Sequence, residues 1–386
     1  MLSRRLPPHA EINALTRALA RRRAAAAPVL DLTESNPTRA AFAYDSDLLR
    51  DLSSEAALQY EPRATGLRAA RQAVARDQAR RGAVVDSEQI VLTASTSEAY
   101  SWLFKLLCDP GDTVLVPRPS YPLFDHLTSL EGVQACPFGL EYHARWTIDF
   151  AAFGTASPST RAVILVSPNN PTGSYVNADE VDRLADLCRA RGWALIVDEV
   201  FADYALDAEH PLTDIATRVD VPAFTLGGLS KTVGLPQVKL GWIVVGGTAE
   251  TRARALGGLE FIADSFLSVS TPAQIAAADL LERGAGLRAQ IHDRVRGNLV
   301  VLRALTREFT ACDVLRVEGG WSAVIRVPAT RSEEQLVVDL LEREGVLVHP
   351  GYFFDFPREA FVVASLLPPS DVFREGAARL LRFAQS

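Results

Sequence analysis

Residues 223–246 read AFTLGGLSKTVGLPQVKLGWIVVG, two apolar runs of strand length around a segment that carries two lysines. The outer runs, 223–228 and 240–246, have almost no polar side chains. Such near-continuous apolar runs are typical of strands that are covered on both faces of a sheet. The segment therefore predicts two buried strands with a polar connection at the edge of the sheet.

Four runs of the same kind precede this segment along the chain. The stretches between them, such as 178–191, have apolar residues at helical spacing. Strands that alternate with helices predict an α/β fold, a mostly parallel seven-stranded type of sheet with helices on both faces. In such sheets ligands bind beyond the carboxyl ends of the strands. The four runs are IVLTAS (90–95), TVLVP (113–117), AVILVS (162–167) and ALIVDEVF (194–201).

The pattern of apolar and polar residues changes after residue 272. A long helical pattern, weakened at Gly284 and Gly286, leads into a smaller α+β unit. Before the large sheet, Ile12, Leu15 and Leu19 recur at helical spacing and predict a docked N-terminal helix. The smaller unit is predicted from strands in WSAVIRV (321–327), VLVHP (346–350) and FVVASL (361–366), and from helices over 332–344 and from about 370.

These patterns divide the chain into three parts. Residues 1–45 form an N-terminal helix and arm that contribute to the small domain. Residues 46–275 form the large domain, and residues 276–386 form the linking helix and the small C-terminal domain.

Composition restricts the class of protein. The 386 residues are 48% hydrophobic, enough for a substantial core, and the net charge of −7 argues against a nucleic-acid or anionic-membrane surface. The four cysteines have no CxxC pair and no metal-ligand spacing, so neither a disulfide framework nor a metal site is expected. No apolar run reaches the roughly 18 residues of a membrane helix. We expect a cytoplasmic protein.

Polar residues follow the ends of several predicted strands. They are a hydroxyl pair (Ser95 and Thr96), an amide (Asn170), a carboxylate (Asp198) and an amine (Lys231). Taken singly, each has another explanation: SPNNPTG is a turn sequence, Asp198 can cap a segment, and a lone lysine is usually on the surface. Because strand ends meet at one edge of a sheet, the ordered set predicts a pyridoxal phosphate site.

Lysine usage supports a special role for Lys231. Only Lys105, Lys231 and Lys239 occur in the chain, and arginine supplies the rest of the positive charge. An arginine stays charged in proteins, whereas a buried lysine can lose its proton and act as a nucleophile. A GC-rich genome would also favour arginine, so the scarcity of lysine has two explanations.

Six segments, in order along the chain, together resemble the class I and II aminotransferases of the fold-type I pyridoxal phosphate family. The resemblance covers nearly the whole chain. It implies a transaminase that moves an amino group between an amino acid or amine donor and a keto acceptor. The segments are TASTSEA (93–99), PGDTVLVPRPSYP (110–122), SPNNPTG (167–173), IVDEVFADY (196–204), LSKTVGLPQVKLGW (229–242) and VLVHPGYFF (346–354).

The resemblance assigns the chemistry of the cofactor, pyridoxal 5'-phosphate, to three residues. It implies that Lys231 forms the internal aldimine and then carries the proton between substrate and cofactor. It implies that Asp198 pairs with the pyridine nitrogen and keeps it protonated, and that Tyr121 stacks on the ring. A half-buried core tyrosine is the alternative for Tyr121.

Other residues are assigned to the cofactor and the substrate. By resemblance, Asn170 binds the ring hydroxyl and lies at the substrate. The phosphate is assigned to Lys239, to Ser230 and to the helix that Ser95 and Thr96 begin, because free N–H groups at a helix N-terminus bind anions.

Two residues outside the strand ends complete the prediction. Tyr60 resembles the tyrosine that reaches the phosphate of the neighbouring subunit, which implies a homodimer with shared active sites; an ordinary packing tyrosine is the alternative. Asn36, in DLTESNPTRA (31–40), resembles a residue near the place where the substrate enters.

The chain departs from the family pattern at the cofactor. Lys239 stands where an arginine is usual, which keeps the charge but gives up the bidentate fork. Gly228 replaces a serine that binds the phosphate, and Ser230 or Ser270 can compensate. Phe201 replaces a tyrosine, which leaves Asn170 alone at the ring hydroxyl.

The fourth departure concerns the substrate. In FVVASLLPPSD (361–371), Val363 occupies the position of an arginine that binds the α-carboxylate. Arg358, Arg326 or Arg39 can take its place from another direction; otherwise the substrate lacks a carboxylate held in the usual way.

Two other readings stay open. The same scaffold supports a lyase, a decarboxylase or a synthase, which the missing arginine favours. A ligand-sensing domain of a transcriptional regulator is the reading from another class. It requires an N-terminal DNA-binding module, and the roughly 40 residues before the fold lack helix-turn-helix patterning.

Overall fold

The structure is a computed structural model that describes residues 3–7, 12–207 and 211–386. Within these residues no helix has the length and apolar character needed to cross a membrane. The helices are α1 (Ala14–Ala24), α2 (Arg68–Arg80), α3 (Thr96–Leu107), α4 (Phe124–Glu131), α5 (Ala151–Gly154), α6 (Ala178–Arg191), α7 (Leu229–Thr232), α8 (Ala249–Asp264), α9 (Thr271–Ile275), α10 (Ala277–Arg283), α11 (Ala285–Glu308), α12 (Glu333–Glu344) and α13 (Ser370–Gln385). The strands are β1 (Leu30–Asp31), β2 (Ile90–Thr93), β3 (Thr113–Arg118), β4 (Gln134–Tyr142), β5 (Trp146–Ile148), β6 (Thr160–Val166), β7 (Ala194–Asp198), β8 (Ala223–Gly228), β9 (Gly241–Gly246), β10 (Asp313–Val314), β11 (Ser322–Arg326), β12 (Val346–Leu347), β13 (His349–Pro350) and β14 (Phe361–Ser365).

The large sheet has the order β2-β9-β8-β7-β6-β3-β4-β5. Strands β8, β7, β6, β3 and β4 are parallel, whereas β9 runs antiparallel to both of its neighbours. All six apolar runs in the sequence form strands of this sheet. The predicted α/β fold with a mostly parallel sheet is confirmed.

Burial on both faces explains why these strands read as continuous apolar runs. In β6, Ala162, Ile164 and Val166 belong to one hydrophobic cluster with α3. The alternating Val163 and Leu165 belong to another cluster, on the face covered by α6. Because successive side chains point to opposite faces, a strand between two helical layers has no polar face.

An edge hairpin was missed by the sequence analysis. Strands β4 and β5 pair antiparallel and add an eighth strand beyond the predicted seven. Most side chains of β4 are only partly buried or exposed. With Pro137 and Gly139 inside it, the strand lacks the apolar run that identified the others.

The fold has a second, smaller antiparallel sheet with the order β10-β11-β14-β13. It follows the long α11 and packs with α12 and α13, as the sequence predicted apart from the short β10. The helical stretch from Thr271 breaks at Ala276 and again at Gly284. A Cβ there would lie 2.5 Å from the carbonyl oxygen of Leu280 and 2.6 Å from Cβ of Val233, so close packing requires glycine.

The N-terminal arm joins the C-terminal part of the chain. Helix α1 begins after Asn13, whose side chain accepts a hydrogen bond from the Thr16 N–H, and it buries Leu15 and Ala18. Strand β1 pairs parallel with β12. The predicted N-terminal helix is confirmed, although it begins after Ile12. The contacts favour grouping the arm with the small domain, and the boundaries at 45 and 275 stay predictions.

Candidate active site

A cavity of about 360 Å³ lies beyond the carboxyl ends of the parallel strands, where the large sheet faces the small one. Its lining includes side chains from the N-terminal arm and from β11 and β14. Of the ten residues that the sequence predicts for the site, eight line this cavity: Ser95, Thr96, Tyr121, Asn170, Asp198, Ser230, Lys231 and Lys239.

Lys231 lies in the short helix α7, directly after β8. Its Nζ is 4.7 Å from the ring centroid of Trp321 and 5.5 Å from that of Phe201. The hydroxyl of Tyr204 donates a 2.6 Å hydrogen bond to the Lys231 carbonyl and fixes the backbone. Burial lowers the pKa of Lys231 to about 8, against the opposing charge of Asp198. An amine in this state can exchange a proton near neutral pH.

Asp198 ends β7 and is held on both carboxylate oxygens. Its Oδ1 accepts a 3.1 Å hydrogen bond from the Val200 N–H, and its Oδ2 accepts a 3.1 Å hydrogen bond from the Tyr100 hydroxyl. Burial raises the pKa of Asp198 to about 6, while these hydrogen bonds and Lys231 act in the opposite direction. The carboxylate is therefore fixed in direction, and with this pKa it is mostly ionised at pH 7.

Tyr100 is a site residue that the sequence analysis missed. It lies in α3, is 3% exposed, and packs against Phe104 and Phe124. An aromatic residue at this helical spacing looks like ordinary core. Only the fold shows that its hydroxyl reaches Asp198, on the neighbouring layer.

The N-terminus of α3 faces the cavity. Ser95 caps the helix by accepting a hydrogen bond from the Glu98 N–H, and Thr96 and Ser97 follow it in the lining. Lys239 lies at the same cavity with its backbone in the left-handed region, at φ 60° and ψ 56°. A residue other than glycine adopts this conformation at a cost of about 1–3 kcal/mol. The helix terminus and the lysine together suit an anion.

Two loops deliver Tyr121 and Asn170, and Asn169 ties the loops together. The Asn169 side chain accepts a 2.9 Å hydrogen bond from Ser120 Oγ and donates a 3.0 Å hydrogen bond to the Pro119 carbonyl. Asn169 is 3% exposed, so the two loops are joined inside the protein. The SPNNPTG motif thus supplies one asparagine to the cavity and one to the scaffold, a division that the sequence did not show.

Tyr60 and Asn36 do not line the cavity. Tyr60 is 72% exposed and borders a separate surface groove with Pro62 and Leu267. The side chain of Asn36 accepts hydrogen bonds from the N–H and hydroxyl of Thr38. Its neighbour Ser35 reaches the cavity instead. The roles of Tyr60 and Asn36 stay predictions.

The departures from the family pattern have local explanations. A Cβ on Gly228 would lie 3.2 Å from the Leu240 carbonyl oxygen and 3.3 Å from Cα of Gly241, so a serine would press on the start of β9. Phe201 packs edge-on against Trp321, with ring centroids 5.2 Å apart. Val363 is 1% exposed within an apolar cluster of the small sheet.

The three arginines considered for the substrate carboxylate all lie elsewhere. Arg326 pairs with Asp313 at 2.8 Å, and Arg39 lies 3.7 Å from Glu34 with its side chain 75% exposed. Arg358 is exposed and stacks over Phe361. None of them lines the cavity.

Comparisons with known proteins agree with this geometry. Residues 32–367 match the family model described as aminotransferase class I and II. The chain is 27% identical to an alanine aminotransferase of Mycobacterium tuberculosis, over 78% of this chain and 72% of that protein. It is 26% identical to the glutamate-pyruvate aminotransferase AlaA of Escherichia coli, over 92% and 90%.

A solved structure shows the same fold. An alanine aminotransferase from Pyrococcus furiosus superposes with a TM-score of 0.88 at 22% identity, covering 100% of this chain and 99% of that one.

Proposed function

The chain belongs to the class I and II aminotransferases, and from this premise we propose that it transfers amino groups with pyridoxal 5'-phosphate held in the cavity around Lys231. It is an aminotransferase, an enzyme that takes nitrogen from an amino donor and gives it to a keto acceptor. One observation carries the proposal: a half-buried lysine, a half-buried carboxylate and a helix N-terminus converge on one cavity.

The residues present fit this cofactor. The cofactor has an aldehyde, a basic ring nitrogen and a phosphate. The cavity offers an amine at Lys231, a carboxylate at Asp198, and the α3 N-terminus with Lys239. When bound, the cofactor supplies an electron sink for the electrons released at the substrate carbon.

Lys231 would hold the cofactor at its aldehyde and would later move a proton. Its pKa of about 8 lets Nζ serve as base and then as acid near neutral pH. Trp321 and Phe201 flank the amine and keep water away from it. The hydrogen bond from Tyr204 to the Lys231 carbonyl keeps the amine at one place.

Asp198 pairs with the ring nitrogen and holds the proton there. Tyr100 and Val200 orient its carboxylate, so the negative charge points in a fixed direction before the cofactor binds. Tyr121 is 46% exposed at the cavity and offers a flat face for the ring.

The remaining contacts are proposed for the phosphate, the ring hydroxyl and the substrate. The α3 N-terminus, Ser230 and Lys239 bind the phosphate. Asn170 binds the ring hydroxyl and contacts the substrate, and Asn36 lies near the entrance for the substrate.

The working unit is proposed to be a homodimer in the cytoplasm. Tyr60 is largely exposed in the single chain and lies outside the cavity, which suits a side chain that completes the phosphate site of a partner. The proposal therefore gives each cavity one tyrosine from the other subunit.

Covalent trapping tests the assignment of Lys231. Holoenzyme treated with borohydride should carry the reduced cofactor at Lys231, as located by peptide mass spectrometry. Lys231→Ala should carry none. Lys105→Ala is the matched control, because Lys105 pairs with Glu131 on the surface side of α3 and should leave the trapping unchanged. An adduct that persists in Lys231→Ala, or that is absent from the parent, would contradict the proposal.

The products of one turnover test the reaction type. With a donor and no acceptor, the enzyme should release one keto product per active site and convert its cofactor to the amine form. Release of ammonia or carbon dioxide instead would identify a lyase or a decarboxylase.

A further inference from the structure

The charged side chains that line the cavity already have roles in the proposed function. In the part of the chain that the structure describes, the lining has three charged side chains, Lys231, Lys239 and Asp198. The proposed function uses all three for the cofactor. A carboxylate on the substrate would therefore find no further cation among the described residues of its own subunit that line the cavity, and burying an unpaired charge is unfavourable.

A pair of serines forms the wall that the small sheet contributes. Ser322 of β11 and Ser365 of β14 are direct partners in the antiparallel ladder, and both line the cavity. Ser365 Oγ donates a 2.6 Å hydrogen bond to the Glu34 carbonyl oxygen and accepts a 3.2 Å hydrogen bond from the Leu367 N–H. Ser322 Oγ donates a 3.2 Å hydrogen bond to Asn170 Oδ1.

These hydrogen bonds decide what the wall can bind. Because each hydroxyl proton is already used, Ser322 Oγ offers its lone pairs to a ligand, and Ser365 Oγ, which already accepts from the Leu367 N–H, offers one. A carboxylate can only accept hydrogen bonds and would face these lone pairs. An alcohol or an amine can donate to them.

The next pair on the same face is apolar. Val324 and Val363 are also ladder partners and belong to a cluster with Phe361 and Trp146. Side chains two residues apart share a strand face, so the serine pair lies beside an apolar pair. Both valines are 1% exposed and do not line the cavity, so the serine pair is the part of this strand face that a ligand can reach.

On the premise of the proposed aminotransferase reaction, we infer that this chain takes amino donors without a carboxylate on the nitrogen-bearing carbon, and amino alcohols above all. The hydroxyl of such a donor hydrogen-bonds to the serine pair formed by Ser322 and Ser365.

The chemistry balances without a further co-reactant. The C–N bond of R–CH(NH₂)–CH₂OH breaks, water supplies the carbonyl oxygen, and the donor leaves as R–CO–CH₂OH. The two electrons and the nitrogen pass to the cofactor, which becomes the amine form. A keto acceptor then takes both in the reverse half-reaction.

Three small amines that share one carbon skeleton test the inference. L-alaninol, L-alanine and isopropylamine differ only in a hydroxymethyl, a carboxylate or a methyl group on the reacting carbon. Calorimetry with cofactor-loaded Lys231→Ala measures binding without turnover. L-alaninol should bind with a Kd at least about tenfold below that of L-alanine, with isopropylamine between them.

The control variants test the serine pair itself. Ser322→Ala should lose most of the preference for L-alaninol over isopropylamine, because it removes one acceptor. Ser322→Thr keeps the hydroxyl and should restore the preference. An unchanged preference in Ser322→Ala would overturn the assignment to this wall.

The inference and the proposed function fail in different ways. Tighter binding of L-alanine than of L-alaninol would overturn the inference, whatever group supplies the cation. Absence of a reduced cofactor adduct at Lys231 in the borohydride-treated parent would contradict the proposed function, while the order of binding still decides the inference.

Discussion

Replacing Tyr100 by phenylalanine should raise the pKa of Asp198. The hydroxyl of Tyr100 lies 3.1 Å from Asp198 Oδ2, and its ring packs against Phe104 and Phe124. Tyr100→Phe keeps this packing and removes only the hydrogen bond. A hydrogen bond to a charged group contributes about 1.5–3 kcal/mol, and 1.36 kcal/mol corresponds to one pKa unit. The pKa of Asp198, about 6 in the parent, should therefore rise by about one to two units.

Cofactor affinity should report this change through its dependence on pH. Asp198 must be ionised to pair with the protonated ring nitrogen. The parent carboxylate is mostly ionised at pH 7, because its pKa is about 6. In Tyr100→Phe the ionised fraction at pH 7 should fall by about two- to tenfold. Affinity should therefore weaken by that factor at pH 7 and return to that of the parent near pH 9.

Equilibrium dialysis of apoprotein against the cofactor from pH 5 to 9 measures the effect. Tyr175→Phe is the matched control, since Tyr175 is 4% exposed and its hydroxyl donates to the Ala202 carbonyl rather than to Asp198. This control should follow the parent at every pH. A Tyr100→Phe affinity that equals the parent's at pH 7, or that is weaker by the same factor at all pH values, would refute the reasoning.

Three further predictions concern the charged groups of the cavity. In apoprotein, the rate of cofactor attachment to Lys231 should rise with pH, with a midpoint near pH 8, because the neutral amine is the nucleophile. Stopped-flow absorbance measures this rate. A midpoint near pH 10.5, the ordinary pKa of lysine, would contradict the lowering of the Lys231 pKa by burial. Lys239→Ala should weaken cofactor retention in dialysis, and Lys239→Arg should preserve it. Lys239→Gly should also weaken retention, but it should stabilise the apoprotein by about 1 kcal/mol in urea unfolding, because glycine adopts the left-handed conformation without strain. If Lys239→Ala retains the cofactor as tightly as the parent, Lys239 has no role in binding it. Asp198→Asn should raise the free energy of unfolding of the apoprotein by up to about 3 kcal/mol at pH 7, with no gain near pH 4. The same variant should slow single-turnover transamination. An equal gain in stability at both pH values would exclude the ionisation of Asp198 as the cause.

The sequence predicted the parts of the fold whose environment is uniform along a segment. Strands β6, β7 and β8 are buried on both faces, so every residue reports the same surroundings. In strand β4 every position except Phe138 is exposed or partly buried, so a search for continuous apolar runs does not detect it. Detection depended on burial rather than on strand formation as such.

The candidate site divides in a similar way. Lys231 and Asp198 were predictable because their polar groups stand directly after apolar strands. Tyr100 and Asn169 were not, because their contacts join segments that are distant in the chain: Tyr100 is 98 residues from Asp198, and Asn169 is 49 from Ser120. A residue that acts through another side chain leaves no local pattern in the sequence.

The side chains that make this site chemically useful also destabilise the apoprotein. A carboxylate whose pKa is about 6 in the fold and 3.8 unfolded imposes its full cost above pH 6 and none below 3.8; for Asp198 this is about 3 kcal/mol. A lysine at about 8 in the fold and 10.5 unfolded imposes its cost below pH 8, and for Lys231 the cost is similar. Both costs act together only between pH 6 and 8. A ligand with a protonated ring nitrogen and an aldehyde offsets both, because it pairs with one group and removes the charge of the other. The fold therefore retains two unfavourable ionisations in the pH range where Lys231 must take up and release a proton, and cofactor binding offsets their cost.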